Sequence, residues 1–186
     1  MIDAILEPVR TGRRVCAAFY GHPGVFVYPS HRAIERARSE GFEARMLPAI
    51  SAEDCLFADL GVDPAACGCQ SYEATDFLVR RRRIDPSAAL VLWQVGLVGQ
   101  PRYVPASVNR DGLRVLAEVL LERYPADHEA IAYEASPYPV AEGLITPVPL
   151  AQLAEAPLTS ASTLYVPPAE TRPVDRELME RLGLGA

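Results

Sequence analysis

The run V-C-A-A-F-Y-G-H-P-G-V-F-V-Y at residues 15–28 constrains the fold more than any other stretch of the chain. Its first five residues are all apolar or small. A continuous run of that length, bounded by turn residues, predicts a strand buried on both faces, as in a parallel sheet. Gly21, Pro23 and Gly24 then end it. Glycine admits positive φ and proline withholds an N–H, so the backbone must open into a loop at the carboxyl end of the strand. That edge is where open α/β sheets bind ligands, and Phe19, Tyr20 and His22 give the loop aromatic and titratable surface to bind with.

The rest of the chain continues the same alternation. Ile2, Ile5, Leu6 and Val9 fall on one helical face, ended by Gly12. A second helix is expected from Pro29 or Ser30 to about Glu40, and residues 42–47 then form a strand, completing a strand–helix–strand unit with a right-handed crossover. Ser51, with Asp54 three residues on, predicts a capped helix to Leu60, stopped by Gly61 and Pro64. A strand is expected over 70–74, followed by the basic run Arg80 to Arg83. Such a run reads as a solvated face or, alternatively, as a docking patch for an acidic peptide. A domain boundary near residues 83–87 divides the chain into 1–85 and 86–186. The second part opens on A-L-V-L-W-Q-V (89–95), a buried strand with Trp93 in the core, ending at Gly96 and Gly99. Ser107 or Asn109 caps a helix bearing Leu113, Leu116, Val119 and Leu120. Strands follow at 129–135, 144–146 and 163–166, with a short helix at 150–156 and a last one at 175–182.

Composition excludes several classes of function. A formal charge of −6 gives no positive surface for tracking phosphates, so no nucleic-acid partner is expected. No stretch approaches the roughly 20 apolar residues of a membrane span, and the N-terminus lacks an apolar signal core. A cytoplasmic protein without a membrane partner is expected. Cys16 lies in the predicted strand, and Cys67 and Cys69 are too close in sequence for an easy bridge, so the four cysteines read as reduced thiols. Cys67 and Cys69 lack the paired spacing of a zinc site, and no metal is expected.

The segments A-F-Y-G-H-P-G-V-F-V-Y-P-S-H-R-A-I (18–34), A-R-M-L-P-A-I-S-A-E-D-C-L-F-A-D-L (44–60) and Y-E-A-T-D-F-L (72–78) resemble the tetrapyrrole methylase superfamily of S-adenosylmethionine-dependent methyltransferases. Y-G-H-P-G stands where porphyrin and corrin enzymes usually carry G-D-P, which makes the chain similar to the branch that methylates peptide backbone amides, the borosin-type α-N-methyltransferases. The resemblance implies an α/β, two-lobed tetrapyrrole-methylase-like (class III methyltransferase) fold. It also implies an incomplete N-terminal lobe, 1–85, with 86–186 as the C-terminal lobe. Members of the family carry a further N-terminal portion, with a glycine-rich first βα turn and a later helix rich in tyrosine and arginine.

The same resemblance implies S-adenosyl-L-methionine as cofactor, held by Tyr20, His22, Val25, Ser51, Ala52, Gln94, Val95, Ala135, Ser162 and Thr163. The residues alone allow blander roles for some of these. Ser51 serves as a helix cap, and Ala135, Ser162 and Thr163 suit turns and strand ends equally well. Glu53 and Asp54 read as first-turn carboxylates favoured by the helix dipole. Tyr20 is the catalytic residue implied, as the matching tyrosine present here, with His22 a cofactor contact first and a base second. The expected reaction is methylation of a peptide substrate in trans by a homodimer, no substrate tail following Ala186. A tetrapyrrole or small-molecule methyltransferase, and an inactive cofactor-binding remnant, are the alternatives.

Overall fold

The computed structural model describes residues 1–100, 107–138 and 140–184. The chain divides into two compact units, Met1–Val62 and Asp63–Ala186. The boundary expected at 83–87 thus falls within the second unit, because strand β1 (Cys69–Glu73) pairs in register with β2 (Ala89–Trp93).

In the first unit, helix α1 (Ile2–Arg10) packs on α2 (Tyr28–Ser39). Leu6, Ala33 and Ala37 are buried, as the helical spacing predicts. Arg10 makes a forked pair with Glu40 at 2.7 and 2.5 Å, and Arg36 reaches Asp3 at 2.7 Å. These pairs lie at the surface, where solvent screening leaves them little weight in stability. Helix α3 (Ala52–Leu60) starts on the expected capping box, in which Ser51 Oγ accepts from the Asp54 N–H and the Asp54 carboxylate accepts from the Ser51 N–H. It stops at Gly61, whose φ of 63° is left-handed.

The two strands expected here, 15–19 and 42–47, do not form. Residues 13–18 are exposed, Cys16 among them, instead of buried on both faces. A strand is defined by the neighbour that takes its N–H and C=O groups. Among the described residues no ladder partner is found for either segment, so an apolar run is not sufficient to make one.

The second unit contains a five-stranded mixed sheet with helices. Strand β1 leads through α4 (Ala74–Val79) to β2. Helix α5 (Arg110–Leu121) follows, then β3 (Glu129–Glu134), β4 (Leu144–Pro149), a 3₁₀ segment (Leu150–Glu155), β5 (Thr163–Val166) and α6 (Arg176–Arg181). The sheet order is β1-β2-β5-β3-β4. β1 and β2 are parallel, whereas β5 runs antiparallel to both of its neighbours, β2 and β3. The helix 150–156 of the sequence reading is 3₁₀, and α5 is capped by Asn109, not Ser107, its side chain accepting from the Gly112 N–H at 3.1 Å. Leu90 and Leu92 on β2, Ala130 and Ala132 on β3, and Leu164 and Val166 on β5 meet Leu113, Leu116 and Leu120 of α5 in one core. All five residues of β2 are buried, Trp93 included, with its indole N–H donating to Ser71 Oγ at 2.8 Å.

Tyr124 closes this core. It is 3% exposed and stacks on His128 with ring centroids 5.1 Å apart, while its hydroxyl finds no partner among the described residues. Burial pushes the phenol from 10.0 up to about 12. The unfolded phenol ionises first, so stability is full below about pH 10 and falls as pH rises toward the folded value. Tyr124→Phe removes the orphan hydroxyl and the titration together. The variant is expected to match or exceed the wild type in urea unfolding at about pH 8, and to lose less stability than the wild type at about pH 11.

Candidate functional site

The ten residues nominated from the sequence fall five in each unit. In the first, the loop after residue 19 lies beside the start of α3. Gly21 takes φ 71°, and a Cβ there would sit 3.7 Å from the Ile50 carbonyl oxygen. The Asp54 carboxyl has a pKa below its ordinary value, chiefly through the Ser51 backbone N–H, then the Ser51 hydroxyl, with the charge of nearby His22 a smaller contribution. Tyr20, His22, Ser51 and Ala52 are thus grouped locally. Tyr20 is 74% exposed, which leaves its phenol open to a ligand. Val25 is half-buried in the turn, its N–H directed to the His22 carbonyl at 3.4 Å.

His22 Nδ1 accepts from the Gly24 N–H at 2.9 Å. A neutral ring holding that bond carries its proton on Nε2, which makes the outward nitrogen a donor. In that tautomer the Nδ1 lone pair is already engaged. Pro23 and Gly24 serve the same turn. Gly24 does not take positive φ, but a Cβ there would lie 2.6 Å from Met46 Sδ and 3.2 Å from the His22 ring, so its value is the space it leaves. A cavity of about 500 Å³, lined by His31, Ile34, Glu35, Arg38 and Met46, includes none of the nominated residues.

In the second unit, sheet direction gathers the other five. Because β5 runs against both β2 and β3, the carboxyl ends of β2 and β3 and the amino end of β5 share one edge. Gln94 and Val95 follow β2, Ala135 follows β3, and Ser162 and Thr163 open β5. Gln94 is exposed and held at φ 56°, a left-handed conformation uncommon outside glycine. The Val95 N–H donates to the Ser162 carbonyl at 3.2 Å. Gly96 packs so tightly that a Cβ would stand 2.0 Å from the Thr159 carbonyl oxygen.

Glu134, the last residue of β3, was not legible as a site residue. Its Oε1 accepts from Ser162 Oγ at 2.5 Å and from Thr159 Oγ1 at 2.7 Å. Nothing in the local sequence marks it, since its partners are 25 and 28 residues away. The basic run reads as a solvated face: Arg80 and Arg82 are exposed and both pair with Asp76, at 2.6 and 2.9 Å, which holds that carboxyl below its ordinary pKa. Among the described residues no cluster of three or more histidine, cysteine or carboxylate groups could hold a metal ion, and no helix is long and apolar enough to cross a membrane.

A mixed α/β sheet in which the carboxyl ends of β2 and β3 meet the amino end of β5 describes the class of fold, and comparison with known proteins makes it specific. The family model for tetrapyrrole (corrin/porphyrin) methylases matches residues 1–153, and the chain belongs to that family. Among solved structures it is similar to the methyltransferase CobJ, with TM-score 0.64 and 24% identity, over 94% of this chain and 74% of that one. It is also similar to the uroporphyrin-III C-methyltransferase from Thermus thermophilus complexed with S-adenosyl homocysteine, with TM-score 0.55 and 14% identity, over 79% of this chain and 62% of that one.

Its curated relatives lie in the borosin branch. It is 45% identical over 188 residues to a methyltransferase/ribosomally synthesized cyclic peptide gymnopeptides precursor from Gymnopus fusipes, covering 99% of this chain and 45% of the relative. It is 43% identical over 190 residues to a methyltransferase/ribosomally synthesized type I borosin cyclic peptide precursor from Mycena rosella, covering 100% of this chain and 47% of that protein. The chain spans about half the length of these relatives.

Gly96 gives the sharpest test of the edge geometry. Gly96→Ala forces apart the 94–96 and 159–162 backbones, both of which are main chain and cannot swing aside. A loss of about 1–3 kcal/mol is expected in chemical denaturation. Equal stability of the variant would show that this close approach is not tight.

Proposed function

We propose that this chain binds S-adenosyl-L-methionine and methylates backbone amide nitrogens of a peptide substrate presented in trans, working in the cytoplasm as a homodimer. The observation that carries the reading is the near-complete match, at 43–45% identity, to proteins described as both methyltransferase and cyclic peptide precursor. The fold likeness to a methyltransferase complexed with S-adenosyl homocysteine supports the cofactor. So does Gln94, which offers an exposed amide at the edge of the sheet. Neutral donors and acceptors of this kind suit a nucleoside.

The cofactor supplies a methyl group already activated on a sulfonium, so no metal or redox partner is required of the protein. What the chain must do is hold a peptide nitrogen in line and manage charge. An amide nitrogen is a poor nucleophile because its lone pair is delocalised into the carbonyl. As the N–H proton passes to solvent water, negative charge gathers on the amide oxygen, and a donor aimed at that oxygen lowers the barrier by about 2.7–4 kcal/mol. The exposed Tyr20 phenol is the group assigned to that oxygen. His22, with Nδ1 occupied and Nε2 a donor, fixes the loop that carries Tyr20. Ser51 and Ala52 set the neighbouring wall.

Titration calorimetry with S-adenosylhomocysteine tests the cofactor, and mass spectrometry of candidate precursor peptides tests the reaction. Binding, followed by successive one-methyl mass increments located on backbone nitrogens, is the expected result. Tyr20→Phe should lower turnover by about 10²–10³-fold while leaving S-adenosylhomocysteine affinity within about threefold. Failure of the chain to bind S-adenosylhomocysteine would remove the methyl-donor reading. Methylation of a tetrapyrrole and of no peptide would replace the substrate class.

A further inference from the structure

We infer that Glu134 is the positioning residue of the cofactor edge: its carboxylate fixes the 159–162 turn and, through that turn, the left-handed Gln94. The inference deepens the methyl-donor reading and rests on it for the ligand, although not for the coupling itself.

The hydrogen bonds form a closed account. Thr159 Oγ1 accepts from the Ala161 N–H at 3.0 Å, and Ser162 Oγ accepts from the Thr159 N–H at 2.7 Å. Each hydroxyl has one proton left to donate, and both protons go to Glu134 Oε1. Ser162 is 1% exposed, so water does not replace that acceptor. Removing the carboxylate orphans a buried hydroxyl and frees the turn. The turn in turn carries the β2 end, since the Ser162 carbonyl receives the Val95 N–H and the Thr159 carbonyl lies against Gly96. Gln94, the residue before Val95, sits at φ 56°. A non-glycine residue keeps such a conformation only when its surroundings hold it there.

The register explains why this position has the role. Tyr133 is the last β3 residue paired with β5, opposite Thr163. Glu134 lies one step further on, where β5 has given way to the turn, so its side chain takes over where the ladder stops. The carboxylate binds no ligand in this assignment; it acts through Ser162 and Gln94.

Charge is not required for the role, but an acceptor is. Glu134→Gln keeps an oxygen that accepts two hydroxyl bonds, whereas Glu134→Ala keeps none. Two measurements on the full chain test this. In hydrogen exchange, Glu134→Ala is expected to speed exchange of the Val95 and Thr159 amides by about tenfold or more, with Glu134→Gln near wild type and the Leu116 and Leu120 amides of α5 unchanged in both. In titration calorimetry, S-adenosylhomocysteine affinity should fall about tenfold in Glu134→Ala and stay within about threefold in Glu134→Gln. Unchanged exchange at Val95 in Glu134→Ala overturns the inference, as does a Glu134→Gln variant as impaired as the alanine one. If the wild type binds no S-adenosylhomocysteine, the methyl-donor reading fails, and the exchange comparison alone decides the positioning role. Should α5 amides also exchange faster in Glu134→Ala, the residue is a general stability element and the inference is wrong.

Discussion

Strand β5 runs between β2 and β3 in the opposite direction to both, and the candidate site in the second unit depends on that one constraint. Antiparallel pairing on each side makes β2 and β3 parallel to one another, so their carboxyl ends arrive together. The amino end of β5 arrives at the same edge. Residues far apart in the chain, Val95 and Ser162, are joined there by a main-chain hydrogen bond, the Val95 N–H donating to the Ser162 carbonyl. The core beneath is ordinary apolar packing of Leu90, Leu92, Leu164 and Val166 against α5. Burying those side chains fixes the register, and register with strand direction together fixes the edge.

Much of this was legible in the sequence, and the reasons are local ones. The all-apolar β2 announced a buried strand, and it is one. Ser51 with Asp54 announced a capping box, and Asn109 stood as one of two cap candidates for α5. Each of these rests on residues within four positions of one another. Family resemblance then supplied the five edge positions in the second unit, which the sheet direction gathers.

What failed were inferences that needed a distant partner. Residues 15–19 have the composition of β2, yet 15–18 are exposed and no ladder forms, because composition chooses a strand only where another strand is present to pair with it. Glu134 reads as a strand-end charge of no consequence until Thr159 and Ser162 are placed beside it. Gly96 looks like a turn glycine, but its φ is not positive, and what it provides is room for the Thr159 carbonyl.

A crystal structure of the chain with S-adenosylhomocysteine measures the central claim most directly. The nucleoside is predicted to lie against Gln94, Ala135, Ser162 and Thr163 at the shared edge of β2, β3 and β5. Density for the ligand elsewhere, or a bare edge in crystals grown with the ligand in large excess, would contradict the account.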